Sequence, residues 1–464
     1  MQRIAGMWWL PESPSETVPG HLQQEGDQFV LHLVGSLVGP EGRAGVLPVI
    51  LGRNGDERVS LLDSVWRGSG GSGSGTLTHE SWRVFTVLRG AGVDGRETPA
   101  FDVAAVELDD LAHFMNLRLI EFDRQVPDDD VREVAVIRRP PRIAATTADS
   151  EYELFSGWST HYGMRDLNYQ YQASLILRLS ALVSMSDMDY KYVRPMRHLL
   201  AFATAGDIGT KAMHLGQTDP DDPHSQSPRW ELLDVDYDRA GDRQETIPHH
   251  MLFTCADWDF ASGFPRWKEL VDAYGPTCDL LFSRAARDNR YLSTRFLNTV
   301  TAAESFHRRS RHDTQASPEH KQRIARLIEA APEEDRTWLQ NKLTWSHEPS
   351  LANRLEELVA VATPAAGPYV GSARPWAQAV TNARNALVHR PPKRNDPDVK
   401  DPEGLLVLEH SVAAVVTICL LRELGFGPDD CARRLGRNPS WNWIPKDMQT
   451  RHSALFARSL GVGH

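Results

Sequence analysis

Residues 169-YQYQASLILRLS-180 alternate between apolar and polar side chains along most of their length. The odd positions hold tyrosine, alanine or leucine, and the even positions are mostly polar. Successive side chains of a β-strand point to opposite faces of a sheet, so this pattern indicates a strand with one buried face. Shorter apolar runs bounded by Gly, Pro and Asp precede it, for example 29-FVLHLVGSL-37 and 47-LPVIL-51. The chain up to about residue 180 is therefore predicted to be rich in strands.

The periodicity of the chain changes after this strand. A helix disturbed by Pro195 is predicted over 188–206, and two strands follow at 229–238 and 250–254. From about residue 260 onward, apolar residues recur with the 3.6-residue period of an α-helix. Helices are predicted near 264–275, 284–311, 317–331, 333–346, 350–363, 373–390, 402–424 and 427–436. The sequence thus predicts a multidomain α+β protein, with a β-rich N-terminal region over 1–262 and an all-α helical-bundle domain over 263–464.

Charge is distributed unevenly between these two regions. The 464-residue chain has a net charge of −11, which by itself argues against a nucleic-acid partner. Residues 1–280 contain 25 Lys and Arg against 42 Asp and Glu, a net −17, whereas the remainder contains 26 against 20, a net +6. A local basic surface is sufficient for binding phosphate groups, so the overall sign does not exclude a polyanion as partner.

Cysteine usage and apolar runs indicate the compartment. The four cysteines, Cys255, Cys278, Cys419 and Cys431, show no CxxC spacing, which is typical of reduced thiols in a cytoplasmic protein. The first residues lack the long apolar stretch of a signal peptide, and the apolar run at 412–421 is too short to span a bilayer. We therefore expect a cytoplasmic protein without membrane association.

Three segments approach ligand-binding motifs but lack a required feature. The glycine-rich stretch 68–76 contains GxGxxG, yet a strand-like segment follows where a phosphate-binding loop needs a helix. The acidic cluster at 219–224 has a proline and a histidine where a calcium loop needs a ligand and a glycine. His249 and His250 have no third ligand at a spacing suited to zinc. We therefore predict neither a bound metal nor a cofactor.

The segment 375-PWAQAVTNARNALVHR-390 carries the strongest candidate for chemistry. It predicts a helix that Pro391 and Pro392 end close to His389. A cation is favoured at a helix C-terminus, so this position favours the protonated imidazole. Arg384 and His389 lie about 140° apart around the helix axis. One helix does not easily aim both side chains at one atom unless its end unwinds, whereas two copies facing each other across a two-fold axis could bring them together.

Neighbouring residues support a site for a polyanion. Asn385 shares a helix face with His389, and the basic residues Arg390, Lys393 and Arg394 follow directly. Without further context, the same residues fit an ordinary solvated helix end followed by a basic turn. The residues alone leave both interpretations open.

This stretch resembles the signature of the HEPN domain superfamily. Residues 383-ARNALVHR-390 match its pattern of an arginine, a polar residue, three further residues and a histidine. The helix predicted over 291–310, with Glu304 and 307-HR-308, is similar to the first helix of the ApeA-like HEPN family. Looser similarity to that family's domain junction and β-rich N-terminal domain is found at 251–276, 6–11 and 18–35.

The resemblance implies an endoribonuclease of bacterial defence against phage. It implies an enzyme that needs no metal or cofactor, a homodimer formed through the HEPN domain, and an RNA target that is often tRNA. RNA carries its own nucleophile, the 2′-OH, so the products are expected to end in 2′,3′-cyclic phosphate and 5′-hydroxyl. The sequence does not identify the phage trigger. The expected catalytic residues are Arg384, His389, Asn385 and Glu304, of which Glu304 is expected to hold Arg384 or His389 in place. The basic residues Arg308, Arg390, Lys393 and Arg394 are expected to bind RNA.

Two other functions fit the sequence. One is a non-catalytic HEPN module that binds RNA or a nucleotide and acts with a partner protein. The other is a carbohydrate- or protein-binding β-domain on an unrelated helical scaffold, for which substitution of Arg384 or His389 would change no activity. For the enzyme, the acidic N-terminal region is expected to sense the trigger and restrain the basic domain, so that deleting residues 1–260 would raise toxicity.

Overall fold

The computed structural model describes residues 3–26, 28–38, 45–70, 79–90, 92–125, 132–162, 167–218, 230–234, 245–285, 291–310, 316–389 and 401–456. The chain divides into two compact units. A β unit comprises Met1–Leu200, Ile208–Pro248 and Phe253–Pro265, and a helical unit comprises Ala201–Asp207, His249–Leu252 and Arg266–His464. The predicted fold class is confirmed, because a β-rich N-terminal region precedes a helical one. The domain ranges 1–262 and 263–464 stay predictions.

Antiparallel pairing builds the β unit. Its strands are β1 (Ile4–Trp9), β2 (Val18–Glu25), β3 (Gln28–Val34), β4 (Val46–Asn54), β5 (Glu57–Gly70), β6 (His79–Arg89), β7 (Phe101–Leu108), β8 (Ile120–Gln125), β9 (Arg132–Ile137), β10 (Ile143–Thr146), β11 (Ser150–Tyr162), β12 (Leu167–Val183), β13 (Thr210–Gly216) and β14 (Trp230–Asp234). Strands β8 and β9 pair with each other, and the others follow the order β10-β11-β12-β7-β13-β14-β6-β3-β2-β1-β4-β5.

The first six strands close into a barrel. Strand β5 pairs with both β4 and β6, which completes the ring β6-β3-β2-β1-β4-β5. Large apolar side chains fill the interior, including the fully buried Trp8, Leu31 and Trp82. Buried and half-buried residues alternate along β6 from Glu80 to Thr86. Closure of the barrel pairs the strand edges that would otherwise be exposed.

Strand β12 contains the alternating stretch at 169–180. Leu175 and Leu177 of this strand are fully buried. The strand pairs with β11 on one side and β7 on the other. The prediction of a strand with a buried face is therefore confirmed.

Helices dominate the chain beyond residue 260. The helices are α1 (Leu111–Met115), α2 (Met185–Asp187), α3 (Arg194–Thr204), α4 (Phe260–Phe282), α5 (Leu292–Ser310), α6 (Pro318–Ala330), α7 (Glu333–Leu343), α8 (Leu351–Ala362), α9 (Gly367–Val370), α10 (Ala373–His389), α11 (Pro402–Glu423), α12 (Pro428–Arg437) and α13 (Ile444–Arg451). The helices predicted beyond residue 260 are confirmed, although α4 is longer and α5 shorter than expected. A π-helical turn over Met188–Val193 leads into α3, in agreement with the predicted disturbance at Pro195.

The strand predicted at 250–254 is wrong. Met251 and Leu252 are fully buried, but their carbonyl groups accept hydrogen bonds from arginine side chains of α12 instead of from a neighbouring strand. Arg434 Nη1 donates to the Leu252 carbonyl at 2.7 Å, and Arg437 Nε donates to the Met251 carbonyl at 3.2 Å. An irregular segment can be buried here because side chains satisfy its backbone groups.

Helix α11 forms the centre of the helical unit. Nearly all of its residues from Gly404 to Leu421 are buried, and it packs against α5, α8 and α13. It is longer than the apolar run at 412–421, and its length and composition alone would suit a membrane span. However, 89% of its most apolar window is buried inside the structure, which is the environment of a core helix in a bundle.

Candidate active site

Helix α10 positions the arginine and the asparagine of the predicted site. Its buried residues include Trp376, Val380 and Ala383, which follow the spacing of one helix face. The helix packs against α8 and α5. Arg384 and Asn385 come directly after Ala383 and are half-buried. The packing of α10 therefore holds both residues at the margin of the helical core.

Arg384 and Asn385 are joined directly. Arg384 Nη1 donates a hydrogen bond to Asn385 Oδ1 at a distance of 3.2 Å. Because Asn385 uses its carbonyl oxygen in this bond, the two protons on its Nδ2 remain donors. The pair thus brings N–H groups of two side chains to one place on α10. Such a combination suits the oxygens of a phosphate group.

The structure describes the other residues of the motif only in part or not at all. His389 is the last residue of α10, but its side chain lies outside the described part of the chain. Arg390, Lys393 and Arg394 also lie outside the described residues. The approach of His389 to Arg384 and the role of the basic run therefore stay predictions.

Glu304 and Arg308 are neighbours on α5. Arg308 Nη2 lies 3.1 Å from Glu304 Oε1 and 3.0 Å from Glu348 Oε2, so two carboxylates share one guanidinium. The Arg308 side chain is 49% exposed, and ion pairs at such positions are weak enough to exchange for a phosphate. Support of Arg384 or His389 by Glu304 stays a prediction.

A charged cluster links α5 to α8 beside these residues. Glu348 Oε2 also accepts a hydrogen bond from Arg354 Nη2 at 2.7 Å, and Arg354 Nη1 lies 3.3 Å from His307 Nδ1. His307 Nε2 is 3.0 Å from Glu357 Oε2. Because arginine can only donate, we assign Nδ1 of His307 as the acceptor and the ring proton to Nε2, facing Glu357. The cluster joins the two helices against which α10 packs.

A second charged cluster surrounds Glu409, a fully buried carboxylate on α11. Its partners are Arg284 (Nε, 3.0 Å), Arg295 (Nη2, 3.1 Å), Thr299 (Oγ1, 2.8 Å) and His410 (Nδ1, 2.9 Å). Burial alone would raise the pKa of Glu409, but the Arg284 charge and the hydrogen bond from His410 hold it well below its usual range. The carboxylate therefore stays ionised and fastens α5 to α11.

Sequence reasoning missed both clusters, although one signal was present. Glu409 interrupts the apolar stretch 404-GLLVLEHSVAAVVTICLL-421, and a carboxylate at such a position needs a buried partner. Two of its partners, Arg284 and Thr299, are 125 and 110 residues away along the chain. No local spacing could have identified them.

Metal-ligating side chains are not clustered in the part of the chain that the structure describes. Within those ranges, no group of three or more His, Cys, Asp or Glu side chains is arranged to hold a metal ion. The acidic cluster at 219–224 lies outside the described residues, and His249 and His250 belong to a 3₁₀ turn.

The cysteines are free thiols. Burial raises the pKa of both Cys255 and Cys419 to about 12. A thiol with such a pKa stays protonated near neutral pH, and the thiolate is the reactive form. These two cysteines are therefore unsuited to nucleophilic catalysis.

Comparison with known families gives a match for each unit. Residues 3–267 match the family model described as ApeA N-terminal domain 1, and residues 297–430 match the model described as Apea-like HEPN. The first match covers more than half of the chain, so the protein belongs to the ApeA family of HEPN proteins. HEPN domains are generally a ribonuclease fold, and the two domains together indicate an HEPN-type protein of anti-phage defence. No curated protein and no solved structure matched the chain.

Proposed function

We propose that this protein is a metal-independent endoribonuclease that cleaves RNA, with tRNA as the target class, during defence against phage. The observation that carries the proposal is the Arg384–Asn385 pair, which α10 holds five residues before His389 inside the matched HEPN domain. The position of a bidentate cation and a helix-terminal histidine on one short segment supports chemistry at a phosphodiester.

Arg384 and Asn385 act on the charge that develops during the reaction. When a ribose 2′-OH attacks the adjacent phosphorus, negative charge grows on the non-bridging phosphate oxygens. The planar guanidinium of Arg384 can donate two parallel hydrogen bonds to these oxygens, and Asn385 Nδ2 can donate a third. The hydrogen bond between the two side chains orients the donors before RNA arrives.

His389 is proposed to transfer the protons. As the neutral imidazole it accepts the proton of the attacking 2′-OH, and the imidazolium that this step forms then donates the same proton to the departing 5′ oxygen. Its position at the C-terminal end of α10 favours the imidazolium through the helix dipole, which suits a general acid. Because RNA supplies the nucleophile and His389 moves the protons, neither step requires a metal ion.

A homodimer through the HEPN domain is part of the proposal. Arg384 and His389 are five residues apart on one helix, a spacing of about 140° around its axis, so a site that uses both is more easily completed by two facing copies. RNA then contacts the basic run that follows α10, and it displaces the carboxylate partners of Arg308. We propose that the enzyme acts in the cytoplasm, where tRNA is present.

A cleavage assay with matched arginine variants tests the active site. Purified full-length protein is incubated with total tRNA in EDTA as wild type, Arg384→Ala, His389→Ala and Arg374→Ala. We expect the first two substitutions to reduce cleavage at least ~100-fold, because each removes a group needed only in the transition state. Arg374 lies on the same helix, is exposed and pairs with Glu356, so its removal should leave cleavage intact.

Two outcomes would contradict the proposal. Cleavage that survives both Arg384→Ala and His389→Ala would assign the activity to another site. If no purified protein cleaves, the same variants are expressed in phage-infected cells. Cleavage of tRNA there that depends on Arg384 and His389 would identify a triggered enzyme, whereas tRNA binding without cleavage would identify a non-catalytic module.

A further inference from the structure

Helices α6 and α7 form a hairpin that contributes no buried residue to the helical unit. We name this hairpin, Pro318–Leu343, the arm. Every residue of the arm is exposed or half-buried in this fully described segment. The half-buried side chains include Ile324 and Ile328 on α6 and Leu339 and Leu343 on α7, each pair four residues apart. This spacing is that of a narrow seam between two helices.

Because its side chains are at most half-buried, the arm buries little apolar surface. Helices of 13 and 11 residues are marginal in water unless an apolar face is buried. Yet Leu327 and Trp338 of the arm are 47% and 60% exposed, and Trp345, two residues beyond the arm, is 69% exposed. Large apolar side chains gathered on one exposed element mark an interaction surface. The arm therefore has the composition of an element that completes its packing against a partner.

The charges of the arm indicate which partner. Helix α6 carries three exposed bases against the exposed acids Glu319 and Glu329, and α7 carries three exposed acids in its first turn against the exposed bases Arg336 and Lys342. The two helices therefore have net charges of opposite sign, and no ion pair engages the three bases of α6 or the three acids of α7 within the described residues. These residues are Lys321, Arg323 and Arg326, and Glu333, Glu334 and Asp335. A surface with both signs on adjacent helices is complementary to a two-fold related copy of itself. The same acids would repel an RNA backbone.

We propose that the arm docks against the arm of a second copy of this protein, with α6 of each copy beside α7 of the other. Trp338 of the arm and the adjacent Trp345 together offer about 300 Å² of accessible surface in one copy, or about 600 Å² in two copies. A specific interface needs about 1,000 Å² or more, and Leu327 with the charged residues around it contributes to the remainder. Glu348, just beyond the arm, is bound by Arg308 and Arg354 and anchors the base of the arm to the helical unit.

Charge reversal of each helix tests this arrangement. One full-length variant carries Glu at the three α6 bases, and another carries Lys at the three α7 acids. Sedimentation equilibrium is measured for each protein between about 0.1 and 100 µM. Each variant should raise the dimer Kd at least ~10-fold, because like charges then face each other. An equimolar mixture of the two variants should form a mixed dimer with the wild-type Kd, because opposite charges face each other again. A single variant that carries both sets of substitutions should regain the wild-type Kd for the same reason.

A single substitution tests the apolar part of the surface. Trp338→Glu should raise the dimer Kd at least ~10-fold, whereas the matched control Gln340→Glu, which adds the same charge about 200° around α7, should not. A monomeric wild type, reversed variants that dimerise normally, or a mixture that stays monomeric would each overturn the proposal. Normal dimerisation combined with a loss of tRNA binding would also overturn it, and would make the arm an RNA surface.

The inference deepens the homodimer proposed above, but it does not require ribonuclease activity. His389→Ala should sediment as wild type does, since this residue is not part of the arm. Comparing His389→Ala with Trp338→Glu in tRNA cleavage and in sedimentation equilibrium therefore distinguishes a failure of the proposed catalysis from a failure of the proposed arm docking.

Discussion

At the residue scale, the buried carboxylate of Glu409 is balanced by two arginines. Arg284 and Arg295 keep small exposed fractions of 10% and 22%, so each guanidinium retains some contact with water while it pairs with the carboxylate. Thr299 and His410 complete the hydrogen bonds of the carboxylate. A buried charge of this kind is tolerated only because all of its partners are present.

Replacement of Glu409 should therefore destabilise the helical unit. Glu409→Gln keeps the shape of the side chain but leaves Arg284 and Arg295 without a negative partner. We expect the free energy of unfolding to fall by about 3–5 kcal/mol, as measured by denaturant unfolding. Glu269→Gln, an exposed position on α4, is the matched control and should change it by less than about 0.5 kcal/mol. Equal effects of the two substitutions would contradict the proposed role of the cluster.

His198 on α3 makes stability depend on pH. Burial, with smaller contributions from the charges of Arg194 and Arg197, lowers its pKa to about 3. In the unfolded chain a histidine has a pKa of about 6.5. Between about pH 6.5 and about pH 3, only the unfolded chain therefore binds this proton. Stability from this group is present above about pH 6.5 and is lost as the pH falls.

The substitution His198→Gln removes that dependence. The Tm of the variant minus the Tm of the wild type should therefore increase from about pH 7 to about pH 4. Thermal unfolding followed at several pH values measures this difference. A difference that stays constant across the range would show that His198 titrates alike in the folded and unfolded chains.

Residues of the candidate site differed in how far sequence could identify them. Arg384, Asn385 and His389 lie on one predicted helix, but their spacing alone left two interpretations open, and only the resemblance to the HEPN signature suggested a shared role. The hydrogen bond between Arg384 and Asn385 needed the structure, because its formation depends on side-chain rotamers that a pattern does not fix. Glu409 could not be connected to Arg284, since a long stretch of chain separates them.

At the scale of elements, regular structure was predicted well and irregular buried structure was not. The α-helices beyond residue 260 could be found because their apolar residues repeat with a clear period. Residues 250–254 have the apolar character of a strand, but Arg434 and Arg437 satisfy the backbone carbonyls of Met251 and Leu252. An arrangement of this kind depends on tertiary contacts that local propensity does not encode.

The arm shows a second limit of prediction from sequence, because a face that the sequence predicts to be buried is only partly buried in the structure. Its sequence correctly predicted two helices, and Ile324, Leu327 and Ile328 follow the spacing of a face that packs into a core. In the structure this face reaches no core formed by the described residues, and Leu327 is 47% exposed. A sequence pattern indicates that a face will be buried, but it does not say whether the same chain or another copy buries it.

At the scale of the whole molecule, the proposal joins two copies into one enzyme. If each site takes Arg384 from one chain and His389 from the other, two inactive variants can complement each other. An equimolar mixture of Arg384→Ala and His389→Ala should then regain about a quarter of wild-type cleavage, because half of the dimers are mixed and each mixed dimer has one intact site. The assay is tRNA cleavage after the subunits have exchanged.

Subunit exchange must be checked in the same mixture. A tagged copy of one variant should capture the untagged other, which confirms that mixed dimers form. Mixed dimers that stay inactive would show that both residues of each site come from one chain. The dimer would then be separate from catalysis, and the end of α10 would have to bring Arg384 and His389 together itself.

The central claim is that Arg384 and His389 cleave RNA through its own 2′-OH, and the ends of the product RNA test it most directly. Wild-type protein is incubated with tRNA in EDTA, and both ends of each new fragment are mapped chemically. We predict 2′,3′-cyclic phosphate and 5′-hydroxyl ends that are absent with His389→Ala. Fragments with 3′-hydroxyl and 5′-phosphate ends, or cleavage only when a divalent metal is restored, would contradict the account.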